Sequence, residues 1–160
     1  MVIILMGVSG VGKTTVGQAL AQKLRWNFAE GDDFHSPANI AKMHAGIPLT
    51  DEDRAPWLQS LRKAITEWLA ADENVVLACS ALKTSYRELL QVSPDVKFVY
   101  LHANFDLIAK RLAARKGHYM NPDLLRSQFD TLEEPEDTLR VEAGSSPAHL
   151  VDEIRAALGV

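Results

Sequence analysis

The chain is short of cysteine, of net positive charge and of long apolar runs, and each shortage removes a class of function. Its one cysteine, Cys79, cannot close an intramolecular disulfide, so a disulfide-stapled scaffold is excluded and a reducing compartment is expected. The formal net charge is −4. No global field draws such a chain onto nucleic acid or an anionic membrane, so neither is an expected partner. Any site for anionic substrates must then rely on local Lys and Arg. The apolar stretch Val2 to Met6 is too short for a membrane span or a signal-peptide core, and no basic segment or cleavage pattern accompanies it. The expected location is the cytoplasm. Internal repeats, low-complexity tracts and linker-like stretches are also lacking. What remains is ordinary globular material, 47% hydrophobic and 24% charged over 160 residues. One domain, residues 1–160, with room for a sizeable core is expected.

One stretch is far from ordinary. Gly7-Val8-Ser9-Gly10-Val11-Gly12-Lys13-Thr14 matches the phosphate-loop pattern G-x-x-x-x-G-K-[ST] at every fixed position. Val2 to Met6 before it reads as a buried strand, and Thr14 to Leu24 after it, with Thr15 in its first turn, reads as a helix. Glycines let backbone N–H groups close around phosphate oxygens, and the helix start adds partial positive charge. Lys13 is expected to reach the β- and γ-phosphates of ATP, and Thr14 Oγ1 to help hold Mg²⁺.

Strand-like runs recur at 26–30, 74–79, 97–102 and 138–142, with helical segments between them. The continuous apolar character of 74–79 suits a parallel strand buried on both faces. Ser36-Pro37, Asn121-Pro122 and Ser146-Pro147 each put a capping residue before a proline at the first helical position. Thr50-Asp51-Glu52-Asp53 resembles a cap with acids in the first turn, and Trp57, Leu58, Leu61 and Ile65 follow at helical spacing. Alternating strands and helices imply a three-layer α/β/α fold around a mostly parallel five-stranded sheet. Ligands should sit at the carboxyl ends of its strands.

Those strand ends carry the next candidates. Glu30-Gly31-Asp32-Asp33-Phe34-His35 follows the second strand. A carboxylate there can accept a proton from an attacking hydroxyl or hold Mg²⁺ through water. Ser80 and Lys83 follow the third strand, and Lys83 can bind a substrate carboxylate or hydroxyl; Cys79 reads as core. Arg54 can pair with the neighbouring acids or clamp a substrate carboxylate, and spacing does not decide between them. Arg111 and Arg115 lie four apart on one helix face, and a segment at about 116–135 can close over a nucleotide as a helical lid. No strand ends in a Walker-B Asp, so Mg²⁺ should be held by Thr14, the nucleotide, water and an acid of the 30–33 turn. The absence of an Asn-Lys-x-Asp motif argues against a guanine-nucleotide switch.

Taken together, these blocks resemble the gluconate kinase (gluconokinase) family of small P-loop sugar-acid kinases, nearly end to end. Besides the phosphate loop, the resemblance rests on Glu30 to His35, Gly46 to Arg54 with Pro56-Trp57-Leu58, and Ala78 to Lys83 with Tyr86-Arg87. Further on it rests on Arg111 to His118 and on Ser127-Gln128-Phe129 with Leu132-Glu133-Glu134-Pro135. It implies the nucleoside-monophosphate-kinase-like fold and ATP- and Mg²⁺-dependent phosphorylation of D-gluconate at O6. It also implies a closing lid and a homodimer. By position, it makes Asp32 the base, with Asp33 second, and makes His35, Arg54 and Lys83 gluconate-site residues. Arg111 would lie near adenine and Arg115 near the phosphates. Glu30 departs from the pattern, which has Asp there; the carboxylate is kept with a longer reach. A kinase of the same fold acting on shikimate or a nucleoside monophosphate is the alternative. A non-catalytic ATP sensor is a further one, disfavoured by the acid turn, Lys83 and Arg115 occurring together.

Overall fold

The run Val2-Ile3-Ile4-Leu5-Met6 forms strand β1, and every one of its side chains is fully buried. A strand buried on both faces needs neighbours on both edges and helices above and below. In the computed structural model, which describes residues 1–114 and 122–160, β1 lies at the centre of a sheet with β2 (Asn27–Glu30), β3 (Val75–Ala78), β4 (Val96–His102) and β5 (Leu139–Glu142). Their order is β2-β3-β1-β4-β5 and every pairing is parallel. The expected strands are therefore all present, with ends shifted by one residue at most.

The period-two alternation of β1 divides the core. Ile3 and Leu5 point to one face, where they pack with Val16 and Leu20 of helix α1 (Lys13–Leu24), Ile108 of α5 (Phe105–Ala114) and Ile154 of α7 (Pro147–Leu158). Val2, Ile4 and Met6 point to the other. There they meet Trp57, Leu61 and Ile65 of α3 (Asp51–Ala70) and Leu90 of α4 (Thr84–Leu90). The two layers of helices close the three-layer α/β/α fold. Helices α2 (Pro37–His44) and α6 (Pro122–Thr131) stand beside the site rather than over the sheet centre.

The helix starts follow their capping chemistry. Ser36 and Ser146 accept from the backbone N–H groups of Asn39 and His149, each just before a proline. Thr50 and Asp53 form a reciprocal capping box at the head of α3. The Asn121 cap lies outside the described residues, as do Arg115 and residues 116–121 of the segment expected to form a lid; α6 and the stretch 132–135 make up the rest of that segment.

In register, Glu30 sits beside Ala78, Leu5 also sits beside Ala78, and Met6 sits beside Tyr100. The loops leaving β1, β2 and β3 thus emerge together at the carboxyl end of the sheet.

Candidate active site

The phosphate loop needs three backbone angles that L side chains resist. Gly7, Gly10 and Gly12 have φ of +146°, +81° and +107°. Gly7 is also constrained by space, since a Cβ there would stand 2.7 Å from the Leu101 carbonyl oxygen. The loop is anchored from two sides. Gly7 N–H donates to the Ser80 carbonyl at 3.2 Å, and Ser9 N–H donates to Gln128 Oε1 of α6 at 2.7 Å. Lys13 Nζ curls back to the carbonyls of Gly7 and Val8, at 2.8 and 2.9 Å. Burial lowers the pKa of this ammonium, while the carboxylates of Asp32 and Glu30 act to raise it. A half-buried cation at the wall of the cleft is well placed for phosphate oxygens.

Thr14 Oγ1 donates to Glu30 Oε2 at 2.5 Å, joining the loop to the end of β2. Burial raises the Glu30 pKa, and the Thr14 hydrogen bond partly offsets it. Among the described residues no three His, Cys, Asp or Glu side chains converge into a metal cage. One hydroxyl and one carboxylate fit Mg²⁺, which keeps most of its waters and takes substrate phosphate oxygens rather than an all-protein shell.

After Glu30 the chain turns tightly through a short 3-10 turn, Gly31–Phe34. Gly31 is buried against β3, and its carbonyl accepts from Trp57 Nε1 at 2.8 Å. Asp32 and Asp33 then both face the cleft. Asp32 is the acid whose charge acts on Lys13, Glu30 and His35 alike, which gives it the central position of the two. The His35 ring stacks on Trp57 with centroids 4.3 Å apart and planes 12° apart. Its burial lowers its pKa, so the imidazole is neutral at pH 7. Cys79, beneath this turn, has its thiol pushed up to about 12 by burial; it is core, as its strand position implied.

A cleft of about 590 Å³ opens between these loops. Lys13, Glu30, Asp32, Asp33, His35 and Arg54 all line it. The far wall is α2, through Ile40, Met43 and His44, and α6 contributes Leu124, Ser127 and Gln128. Arg54 Nη1 donates to Tyr86 Oη at 3.3 Å. Lys83 is not among the lining residues. It sits just before α4, and its Nζ forms an ion pair with Asp51 at 2.9 Å. Tyr86 Oη donates to the same Asp51 carboxylate, and these two bonds hold the Asp51 pKa below the usual range. Arg54, Tyr86, Asp51 and Lys83 therefore form one chain of contacts, with Arg54 at the cleft and Lys83 at its outer end.

Arg111 lies on the other side of the phosphate loop. Its Nη2 donates to the Ala143 carbonyl at 2.7 Å and its Nη1 approaches the Val11 carbonyl at 3.4 Å. Behind α6, buried Arg87 donates to the carbonyls of Ala81 and Glu133, both at 2.7 Å. Glu133 N–H donates to the Leu82 carbonyl and Glu133 Oε1 accepts from Thr84 N–H. The segment after α6 is thus fastened to the loop after β3. Sequence reasoning gave no role to Gln128, Asn39, Met43, His44 or Tyr86. Only the blocks Tyr86-Arg87 and Ser127-Gln128-Phe129 pointed toward two of them.

Comparison with known proteins agrees with this geometry. The family model described as shikimate kinase matches residues 9–157. A gluconokinase of Gluconobacter oxydans is 46% identical over 156 residues, covering 95% of this chain and 88% of that one. The crystal structure of a gluconokinase from Sinorhizobium meliloti aligns with a TM-score of 0.86 at 46% identity, covering 98% of this chain and 90% of that chain. A shikimate kinase structure from Aquifex aeolicus aligns at a TM-score of 0.63 with 17% identity, covering 99% of this chain and 96% of that one, a likeness of fold alone. With its phosphate loop, acid turn and parallel five-stranded sheet, the chain belongs to the gluconokinase family of P-loop kinases.

Proposed function

We propose that the protein transfers the γ-phosphoryl group of ATP to O6 of D-gluconate, giving 6-phospho-D-gluconate and ADP. The observation that carries this is the convergence of Lys13, Asp32 and Arg54 on one cleft. It occurs in a chain 46% identical to a gluconokinase along nearly its whole length.

In this reading the loop of residues 7–14, through those of its N–H groups that Ser80, Gln128 and Val8 do not already engage, and the Lys13 ammonium bind the β- and γ-phosphates. Asp32 accepts the proton of the O6 hydroxyl as the O6–Pγ bond forms and the bond from Pγ to the bridging oxygen of ADP breaks. Arg54 faces the same cleft and pairs with the gluconate carboxylate, which orients O6 for in-line attack. Thr14 and Glu30 would hold Mg²⁺ together with the nucleotide, and the bound ion would supply positive charge to offset that of the phosphates. Arg111 lies beside adenine and Arg115 beside the phosphates, on one 1–160 kinase domain whose lid spans about 116–135. Lys83 keeps a supporting part through Asp51, Tyr86 and Arg54, or meets the substrate directly when the cleft closes. The reading also includes a cytoplasmic homodimer. No described helix is long and apolar enough to cross a membrane. The dimer is carried by the family resemblance.

A panel of acceptors in a coupled ADP-release assay tests the proposal. Gluconate should support turnover far above shikimate, nucleoside monophosphates and aldoses. Preference for shikimate or a nucleotide would overturn the acceptor, and tight ATP binding without turnover on any sugar acid would favour a sensor.

A further inference from the structure

His35 has two ring nitrogens, and the structure distinguishes them. Asn39 Nδ2 stands 2.7 Å from the Asp53 carbonyl oxygen and 3.3 Å from His35 Nδ1. A carbonyl oxygen only accepts, so the atom facing it is the amide nitrogen and not the amide oxygen. The nitrogen carries two hydrogens, and the second points to His35 Nδ1. An amide N–H only donates, so Nδ1 must be the unprotonated, accepting nitrogen. The proton of the neutral ring then resides on Nε2.

The remaining contacts leave Nε2 facing the cleft. One ring face is covered by Trp57, and Nδ1 is taken by Asn39. Among the described residues Nε2 has no hydrogen-bond partner, yet no buried side-chain polar atom lacks one. Nε2 is therefore not buried, and the open space His35 borders is the cleft. Asn39 itself is 6% exposed and is pinned a third time, by its N–H to Ser36 Oγ at 3.2 Å. Its position is set by the start of α2 and the head of α3, so the hydrogen bond to His35 is not an accident of a loose side chain.

We infer that Asn39 is a positioning residue that fixes His35 as the Nε2–H tautomer, so that His35 presents a neutral donor to an acceptor oxygen of the hydroxy-acid substrate. The inference rests on the acceptor reading above for the identity of that oxygen, but not for the tautomer. A fixed N–H at this point discriminates between substrates. An analogue lacking the partner oxygen leaves the N–H desolvated and unpaired, which a site of this kind penalises heavily. The charges facing the ring are Asp32 from the 3-10 turn and Arg54 from α3, and they act in opposite directions on it.

The test begins with unaltered protein. Long-range ¹H–¹⁵N spectra of the histidine side chains, with His35 assigned through His35→Gln, report which nitrogen is protonated. The expected result at neutral pH is Nε2–H with bare Nδ1, and a shift of the Nε2 signal on adding gluconate. Nδ1–H, or a doubly protonated ring, overturns the inference whatever the enzyme phosphorylates. Asn39→Asp then replaces the donor with an acceptor and should move the proton to Nδ1. The Michaelis constant for gluconate should rise about tenfold, the worth of one hydrogen bond, with that for ATP unchanged. An Asn39→Asp protein that keeps Nε2–H and the wild-type gluconate constant overturns it as well. If that variant fails to fold, the spectra of the unaltered protein still decide. Failure of gluconate in the acceptor panel with Nε2–H intact would instead fault the acceptor alone.

Discussion

Replacing Gly31 by alanine adds one carbon where the acid turn touches the sheet. A Cβ built there falls 2.5 Å from the Ala78 carbonyl oxygen and 3.2 Å from Cys79 Cα. Both obstacles are backbone of β3 and its exit, buried under the core, and neither can swing aside. Ordinary contact begins at 3.4 Å, so the turn itself must retreat from the strand. It cannot do so freely, because its carbonyl is held by Trp57 Nε1. Overpacking of this kind costs about 1–3 kcal/mol. The larger effect falls on chemistry, since Asp32 is the next residue and must follow. A displacement approaching 1 Å at a reacting group costs about 100-fold in rate. Gly17→Ala is the matched control. Its Cβ meets the far edge of the Phe28 ring at 2.7 Å, a side chain on an edge strand that can yield, and alanine gains about 1 kcal/mol over glycine in helix α1. Urea denaturation and steady-state turnover should therefore separate the two variants. Gly31→Ala loses both stability and turnover, whereas Gly17→Ala keeps its turnover. Wild-type turnover in Gly31→Ala would refute the claim that the turn's seat on β3 positions the base.

Three further variants have definite expected outcomes. Lys13→Met removes the ammonium that caps the loop and should lower turnover by about 10²–10³-fold while the denaturation midpoint stays near wild type; a variant within tenfold of wild type contradicts the role. Glu30→Gln should raise the Mg²⁺ concentration needed for half-maximal rate. Glu30 also predicts a sign in stability. Its folded pKa is raised by burial, so the folded state binds the proton more tightly and Glu30 weighs against folding once pH exceeds the ordinary value of 4.5. Measured without Mg²⁺, Glu30→Gln should be more stable than wild type at neutral pH, with the advantage fading as pH falls toward 4.5; the opposite trend would deny the burial. Arg54→Ala should raise the gluconate Michaelis constant by about tenfold and leave that of ATP unchanged, and equal effects on both would place Arg54 elsewhere.

The fold was legible because its signals are local. A strand buried on both faces reads as an unbroken apolar run, and Ser-Pro pairs mark helix starts whatever surrounds them. The donor half of the site was legible for the same reason, since strand, glycine loop and helix are contiguous in sequence. The acceptor half was legible only in part. Asp32, His35 and Arg54 do meet at the cleft, but nothing in their spacing chooses between Arg54 pairing with a nearby acid and Arg54 facing substrate. That depends on Tyr86, 32 residues away, which accepts from Arg54 and donates to Asp51. The ion pair of Lys83 was equally hidden, because its mate Asp51 stands as far off in sequence. Gln128 meets Ser9 across 119 residues, and no periodicity encodes such a contact. Asn39 is an unremarked helix residue until three fixed partners surround it.

In the proposed reaction O6 of gluconate attacks the γ-phosphorus, with Arg54 holding the carboxylate at the other end of the acceptor. The proton-coupled ³¹P spectrum of the product, formed from gluconate, ATP and Mg²⁺, tests this directly. Attack by O6 gives a phosphomonoester whose phosphorus couples to the methylene protons of C6 and appears as a triplet. A doublet, from phosphate on a secondary hydroxyl, or the absence of any new phosphoester signal, would contradict the account.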